Sequence, residues 1–513
     1  MKQVKYLTII AIVAIALGAC KKSFLTEYPQ GSINEGNFYK TASDFQQAVV
    51  GLYPPLRTSV NVSYFLEEMR ADNTYFDYNT QDRGSASSEA ISYFLDNSSN
   101  GPIQTVWTAN YSGIQGANVI LDQLAASTGI PDSVQNQIIG ETKALRAHYY
   151  FELVRLFGGV PLYLHAVQNS AQAFIDRSSV DSVYAQIVSD FTDALGRLAP
   201  PAKFPQTGRA TKGMVATELG LVYLTRQQWP QASAILQTVT QMGYSLLPNY
   251  ADVYTTASKN SQESIFEIQY NAGTDGQSSN FIYQFAPRTP NTTNILGVDY
   301  NTVTSNYGGW NVPTQNVISD YEANDKRLDA SIAVVDGKLD ASDNFQPDSV
   351  VSILNTPPAG EVTKYFIRKY YHLPYNLQNN TSQDWYVYRY SDALLMLAEA
   401  LNEQGQSAAA LPYLNQVRQR AGLPASTVSD QNTLRTVIAH ERRIELAFEN
   451  HRWFDLVRTN QAIPVLTAYG ITQKATYGYL LAASYDVTQD RLIYAIPFRE
   501  TQVNLGLTQN PGY

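Results

Sequence analysis

The sequence predicts a mostly α-helical protein, an α-α superhelix of paired helices with long loop insertions and minor β-structure. Three observations predict it. Apolar residues recur three and four positions apart over several long stretches, which places them on one face of a helix. Those stretches come in pairs joined by short turns rich in Gly and Pro. Two long segments, one ahead of the first pair and one between later pairs, lack any such period.

The chain opens on a segment of another kind. Lys2 and Lys5 precede an almost unbroken apolar run from Leu7 to Ala19. That run is too short to anchor across a bilayer, which takes about 20 residues at 1.5 Å each. It fits the apolar core of a secretory signal with small residues before the cut. Cys20, the only cysteine of the 513 residues, follows Leu17-Gly18-Ala19. The pattern resembles a bacterial lipoprotein signal, with cleavage after residue 19 and a lipid on the Cys20 sulfur. No disulfide can form within a chain with one cysteine, so the exported protein is held by its core. Its length permits this, because the buried fraction of surface rises with size.

The first helical pair covers 104–126 and 131–157. Ile114, Ala117, Leu121 and Leu124 line one helix, and Ile138, Thr142, Leu145, Tyr149, Leu153 and Leu156 line the next. Gly158-Gly159 and Pro161 stop the second, since Gly tolerates the left-handed cap and Pro cannot continue the turn. A second pair spans 212–243 and contains Leu219-Gly220-x-x-Tyr223. That spacing matches the first helix of a tetratricopeptide repeat, although its leading Trp position is Ala216 here. A third pair spans 391–422, and a long helix follows over 431–449. Such pairs must stack on one another, because one pair cannot bury its own apolar face.

The two aperiodic segments are 70–103 and 270–312. The first holds Asp72, Asn73, Tyr75, Phe76, Asp77 and Tyr78, and the second holds seven aromatic residues, seven Asn and three charged residues. Long irregular loops are usually functional or disordered, and the aromatic content argues against disorder.

Charge and composition limit the function. The formal net charge is −9, and Lys2 and Lys5 lie in the signal segment, so the remainder is more acidic still. Phosphate backbones require a basic field, so nucleic-acid binding is disfavoured. Only 16% of residues are charged while 36 are Tyr, a balance that suits neutral polar ligands.

Catalytic and metal motifs find no support. Glu441 and Glu445 sit one turn apart, but the interleaved Arg442, Arg443 and Arg452 suit an ion-pair network that fixes helix packing, as do Arg389 and Asp392. His440-Glu441 begins like a zinc-protease helix, yet the second His position is Ile444. There is no G-x-S-x-G elbow and no phosphate loop with G-K-[ST]. No catalytic residue, metal or cofactor is expected.

Binding residues are expected in the aromatic insertions. A sugar ring presents a flat C–H face between polar edges, so an aromatic plate with neighbouring amides can hold it. Trp310, behind Gly308-Gly309, is the foremost candidate. Tyr283, Tyr75, Tyr78, Asp72 and Asn73 are the others. Trp107, Trp229, Trp385 and Trp453 lie in helical or framework segments and are expected in the core.

Several ordered motifs carry a family resemblance. After Cys20 comes Ser23-Phe24-Leu25-Thr26-Glu27-Tyr28-Pro29; later come Leu145-Arg146-Ala147-His148-Tyr149-Tyr150-Phe151 and Leu156-Phe157-Gly158-Gly159-Val160-Pro161. The run Tyr388 to Ala400, the run Glu441 to Arg458, Ile496 to Glu500 and Gln509 to Tyr513 complete the set. Together they resemble the SusD/RagB family of outer-membrane nutrient-binding lipoproteins of the Bacteroidetes.

The resemblance implies a tetratricopeptide-like fold without catalysis. It implies a SusD-like N-terminal region over 20–230 and a RagB/SusD C-terminal region with binding loops over 231–513, packed as one body. It further implies a lipid-anchored protein on the outer membrane, facing the exterior, that captures oligosaccharides for a SusC-like TonB-dependent transporter. A peptide-capturing relative and, less so, a surface hydrolase are the alternatives.

Overall fold

The computed structural model describes residues 38–78, 86–299 and 308–513. The signal segment 1–19 and Cys20 lie outside these residues, as do Tyr300 and Tyr307. Among the described residues no helix is long and apolar enough to cross a membrane.

Helices α1 (Ala42–Val50) and α2 (Pro54–Glu67) come first, and strand β1 (Thr74–Tyr75) leaves the scaffold after them. Helix α3 (Ala86–Ser92) precedes the long pair α4 (Gly101–Ala126) and α5 (Asp132–Phe157). Asn100 caps α4 by accepting from the Ile103 amide at 3.3 Å. The α4–α5 pair closes on a glycine: a Cβ at Gly113 would fall 2.1 Å from the Tyr149 ring.

Helices α6 (Val180–Arg197), α7 (Lys212–Thr225) and α8 (Trp229–Val239) continue the stack. The glycine of the Leu219-Gly220-x-x-Tyr223 motif is a contact point, since a Cβ at Gly220 would lie 2.5 Å from the Leu236 side chain of α8. Leu236 and Leu219 are buried against it.

The chain then leaves the stack for about 150 residues and returns to it. Helix α9 (Tyr390–Glu403) packs directly on α8, where the Gln404 amide donates to the Trp229 carbonyl and the Ser233 hydroxyl. Helices α10 (Ser407–Arg420) and α11 (Gln431–Glu445) extend the superhelix, followed by α12 (Arg452–Arg458) and α13 (Ala462–Thr476). The tetratricopeptide-like units are therefore continuous in space though interrupted in sequence.

The excursion holds the β-structure. β2 (Ser264–Ile268) pairs antiparallel with β7 (Trp385–Arg389), while β3 (Val312–Pro313) pairs with β1, matching Tyr75 to Val312. β4 (Ile332–Leu339) is flanked by β5 (Phe345–Ser352) and β6 (Val362–Ile367) in an antiparallel sheet. The segment 270–312 is more regular than its sequence predicts, with short helices at Phe281–Phe285 and Thr293–Leu296.

The expected ion-pair network is present and buried. Arg327 contacts Glu441 at 2.6 Å, Arg389 contacts Glu445 at 2.9 Å and Glu449 at 2.7 Å, and Lys369 contacts Glu449 at 2.6 Å. Burial alone would raise the carboxyl of Glu449, but Arg389 and Lys369 outweigh it and hold the group down at about 2. Arg442 bridges Asp392 and Asp455 at 2.7 and 3.1 Å. The network locks the α9, α10 and α11 junction to the excursion, and it leaves Arg443 on the neighbouring face of α11.

Candidate functional site

Arg443 lines a cleft of about 890 Å³ between the β1–β3 ribbon, β6 and α13. Pairing with Val312 fixes Tyr75 at its edge. The half-buried Tyr75 ring stacks on Tyr477 with centroids 6.4 Å apart and planes 23° from parallel. Tyr78 stacks on Tyr479 at 3.8 Å and 10°, and Tyr477 meets Tyr479 at 5.6 Å. Tyr93 extends the array, its hydroxyl 3.4 Å from that of Tyr479. Five tyrosines from three chain segments thus form one continuous aromatic array with Tyr93 at its buried end, and Tyr75 and Tyr477 of the array line the cleft together with Tyr365 of β6.

The opposite end of the cleft is polar. Asp72 accepts two hydrogen bonds from Arg452, at 2.8 and 3.0 Å, and pairs with Arg443 at 2.9 Å. Burial would raise its carboxyl, but Arg452 and Arg443 hold it below the ordinary value. Arg443 also donates to Asp320 at 3.0 Å and to the side-chain oxygen of Asn73 at 2.9 Å. Gln315, Asn316, Thr472 and Thr476 are exposed around this end. The positive and negative groups here are paired with one another, so the cleft offers hydrogen-bonding groups without a strong net field.

The structure divides the sequence-predicted binding residues. Tyr75 and Tyr78 are half-buried members of the aromatic surface. Asp72 lines the cleft, but it is 2% exposed and engaged by two arginines. Asn73 is buried beneath it, its amide donating to Glu68 at 3.0 Å. Glu68, buried away from water, is pushed up to about 7.

Two expectations are corrected. Trp310 is a core residue: it is 1% exposed, packed edge-on to Phe65 at 5.1 Å and against Phe76 at 4.1 Å. Gly308 and Gly309, both in the left-handed region, turn the loop inward, and the Gly309 amide donates to the Ala286 carbonyl. Tyr283 is fully buried, and its hydroxyl donates to the Leu377 carbonyl at 2.7 Å. Neither ring has a face left for a ligand. Tyr477 and Tyr479, missed from sequence, carried a readable signal: aromatics two apart around Gly478 directly after a helix end.

Among the described residues no group of three His, Cys, Asp or Glu side chains is placed to hold a metal ion.

Comparison with known proteins decides the family. A model described as the SusD family matches residues 262–513, and one described as starch-binding, associating with outer membrane, matches residues 25–224. Between them they match most of the chain. It belongs to the SusD family. A SusD-like protein of Formosa agariphila is 27% identical over 99% of this chain and all of its own. A solved laminarin binding SusD-like protein is 28% identical with a TM-score of 0.73, covering 93% of this chain and all of its own. The surface glycan-binding protein A from Bacteroides thetaiotaomicron, solved in complex with laminarihexaose, shares the fold at 22% identity and a TM-score of 0.72, covering 92% and 100% of the two chains. Two of these solved relatives carry a bound glycan in their names, and the SusD family to which this chain belongs is one of carbohydrate-binding, non-catalytic proteins. Association with the outer membrane comes with the family.

Proposed function

We propose that this protein captures neutral glycan oligosaccharides at the cell surface, in the cleft between the tyrosine surface and the Arg443–Arg452 end. The observation that carries the reading is the pairing of a stacked tyrosine array with a charge-compensated polar wall in one cleft. Aromatic faces take the C–H faces of sugar rings, and amides and hydroxyls take the edges. Tyr75 and Tyr477 are assigned direct contact inside the cleft and Tyr78 a contact at its margin, with Asp72 assigned the orientation of Arg443 and Arg452, and Asn73 the support of Arg443 from behind. The laminarin-binding relative makes laminarin-type chains the first ligand to try.

Anchored by lipid at Cys20 and facing the exterior, the protein would hold its ligand for a SusC-like TonB-dependent transporter. The regions 20–230 and 231–513 act as one binding body, since the cleft takes Asp72 and Tyr75 from the first and the rest from the second. A mild-detergent pull-down from the native host should recover one dominant, much larger membrane protein; recovery of the lipoprotein alone would count against the partnership.

Calorimetric titration with laminarihexaose tests the site. Tyr477→Ala should weaken binding about three- to tenfold, with the melting temperature little changed. Tight binding that survives loss of both Tyr75 and Tyr477 would place the ligand elsewhere.

A further inference from the structure

A second cavity of about 510 Å³ adjoins the tyrosine cleft, and the two share Asp320, Arg443, Arg452 and Val465 as a common wall. At its far side stands Trp229, the first residue of α8. Trp107, Trp310, Trp385 and Trp453 are each no more than 3% exposed, whereas Trp229 is only partly buried. It was expected in the core. Its carbonyl is held by Gln404, and its partly buried indole packs with one side on the main core while no other aromatic ring is stacked on it among the described residues.

The surroundings of Trp229 define the ligand class. Arg435 donates to both oxygens of Glu403 at 2.6 and 2.7 Å, and Arg458 is engaged by Glu399 and Asp455. Arg442 is held by Asp392 and Asp455, and Arg452 and Arg443 by Asp72. Every arginine of the cavity therefore has its carboxylate, and no spare cation awaits an anionic group. Beyond these pairs the lining holds His440, which faces Asp320 and Glu322, a few apolar residues, and the exposed neutral polar Gln227, Thr436, Thr459 and Gln461. An indole face among amides and hydroxyls suits a sugar ring, as the tyrosine cleft does.

We propose that this cavity is a distal subsite for the part of a neutral oligosaccharide that outreaches the tyrosine cleft, with Trp229 as its stacking platform. The chain would cross the shared wall over the half-exposed Asp320 and Val465. The proposal rests on reading the tyrosine cleft as the glycan site. Its consequence is a dependence of affinity on ligand length that the first cleft alone does not produce.

The test uses the full chain with laminarihexaose and shorter members of the same series. Trp229→Ala should weaken the hexaose about three- to tenfold and leave the shortest bound member unchanged, whereas Tyr477→Ala weakens every length. Trp229→Phe, which keeps an aromatic plate, should recover most of the loss. In the unmodified protein, the hexaose but not the shortest member should shift the indole emission, and Trp229→Phe should abolish that shift. Equal affinities for Trp229→Ala and the unmodified chain at every length would overturn the subsite and leave the tyrosine cleft standing. Length-independent binding with no emission change would do the same. No binding of any member would remove the cleft reading and the subsite together.

Discussion

Tyr78 and Tyr479 lie face to face, 3.8 Å between ring centroids, although one belongs to the first fifth of the chain and the other follows its last long helix. The contact ties the segment after β1 to the segment after α13, and it makes the two chain regions a single aromatic surface. A stacked pair at that distance gains about 0.5–1.5 kcal/mol beyond its buried area.

Tyr479→Ala should therefore loosen the surface as well as remove a ring. Affinity for laminarihexaose should fall by more than for Tyr78→Ala, because Tyr479 also touches Tyr477 and Tyr93. Hydrogen exchange of the amides around Tyr75 should speed up in the same variant. Equal effects of the two substitutions would show that the array does not act as a unit.

Trp310→Ala should act on stability. Emptying a fully buried indole costs about 3–5 kcal/mol, so the melting temperature should drop markedly. Affinity measured on the folded variant should stay near that of the unmodified chain. A lowered affinity without loss of stability would return Trp310 to the binding surface.

Acid should unfold the protein through its buried carboxylates. The folded value of Glu449, about 2, lies below its ordinary value of 4.5, and that of Glu445 is depressed further by Arg420, Arg389 and Arg327. Their contribution is fully present above about pH 4.5 and is lost as the pH falls through the folded values. Melting curves should show this acid loss, and Glu449→Gln should lower stability at neutral pH while making the loss shallower. Breaking a buried pair from one side costs about 3–5 kcal/mol.

Cys20→Ala should release the protein from the membrane fraction. Each buried CH₂ of an attached lipid contributes about 0.8 kcal/mol, and stable attachment takes more than one chain. Fractionation followed by blotting decides it; a variant that stays with the membrane would refute the anchor.

The helical pairs were legible because burial of one face every 3.6 residues writes itself into sequence spacing. The adjacency of α8 and α9 was not, since the contact joins segments with no local signal between them. Tyr75 and Tyr78 were found by residue type in an aperiodic stretch. Trp310 was misread because a glycine pair among polar residues marks a turn without saying which way the next ring points. Tyr477 and Tyr479 left a local signal in their spacing after a helix end, but only the tertiary fold sets them against Tyr75 and Tyr78. The same holds for Arg443, whose neighbours Glu441 and Glu445 face the ion-pair network while it lines the tyrosine cleft, paired with Asp72 and Asp320.

The stacking of α9 on α8 also bears on how the chain acquires its structure during synthesis. Until residues near 390 have been made, the helices up to Val239 end in an apolar surface whose permanent cover does not yet exist. Stacked-helix proteins normally cap such an end with the next unit in line. Here the wait lasts some 150 residues. Over that interval the nascent superhelix is open to mispairing with other chains.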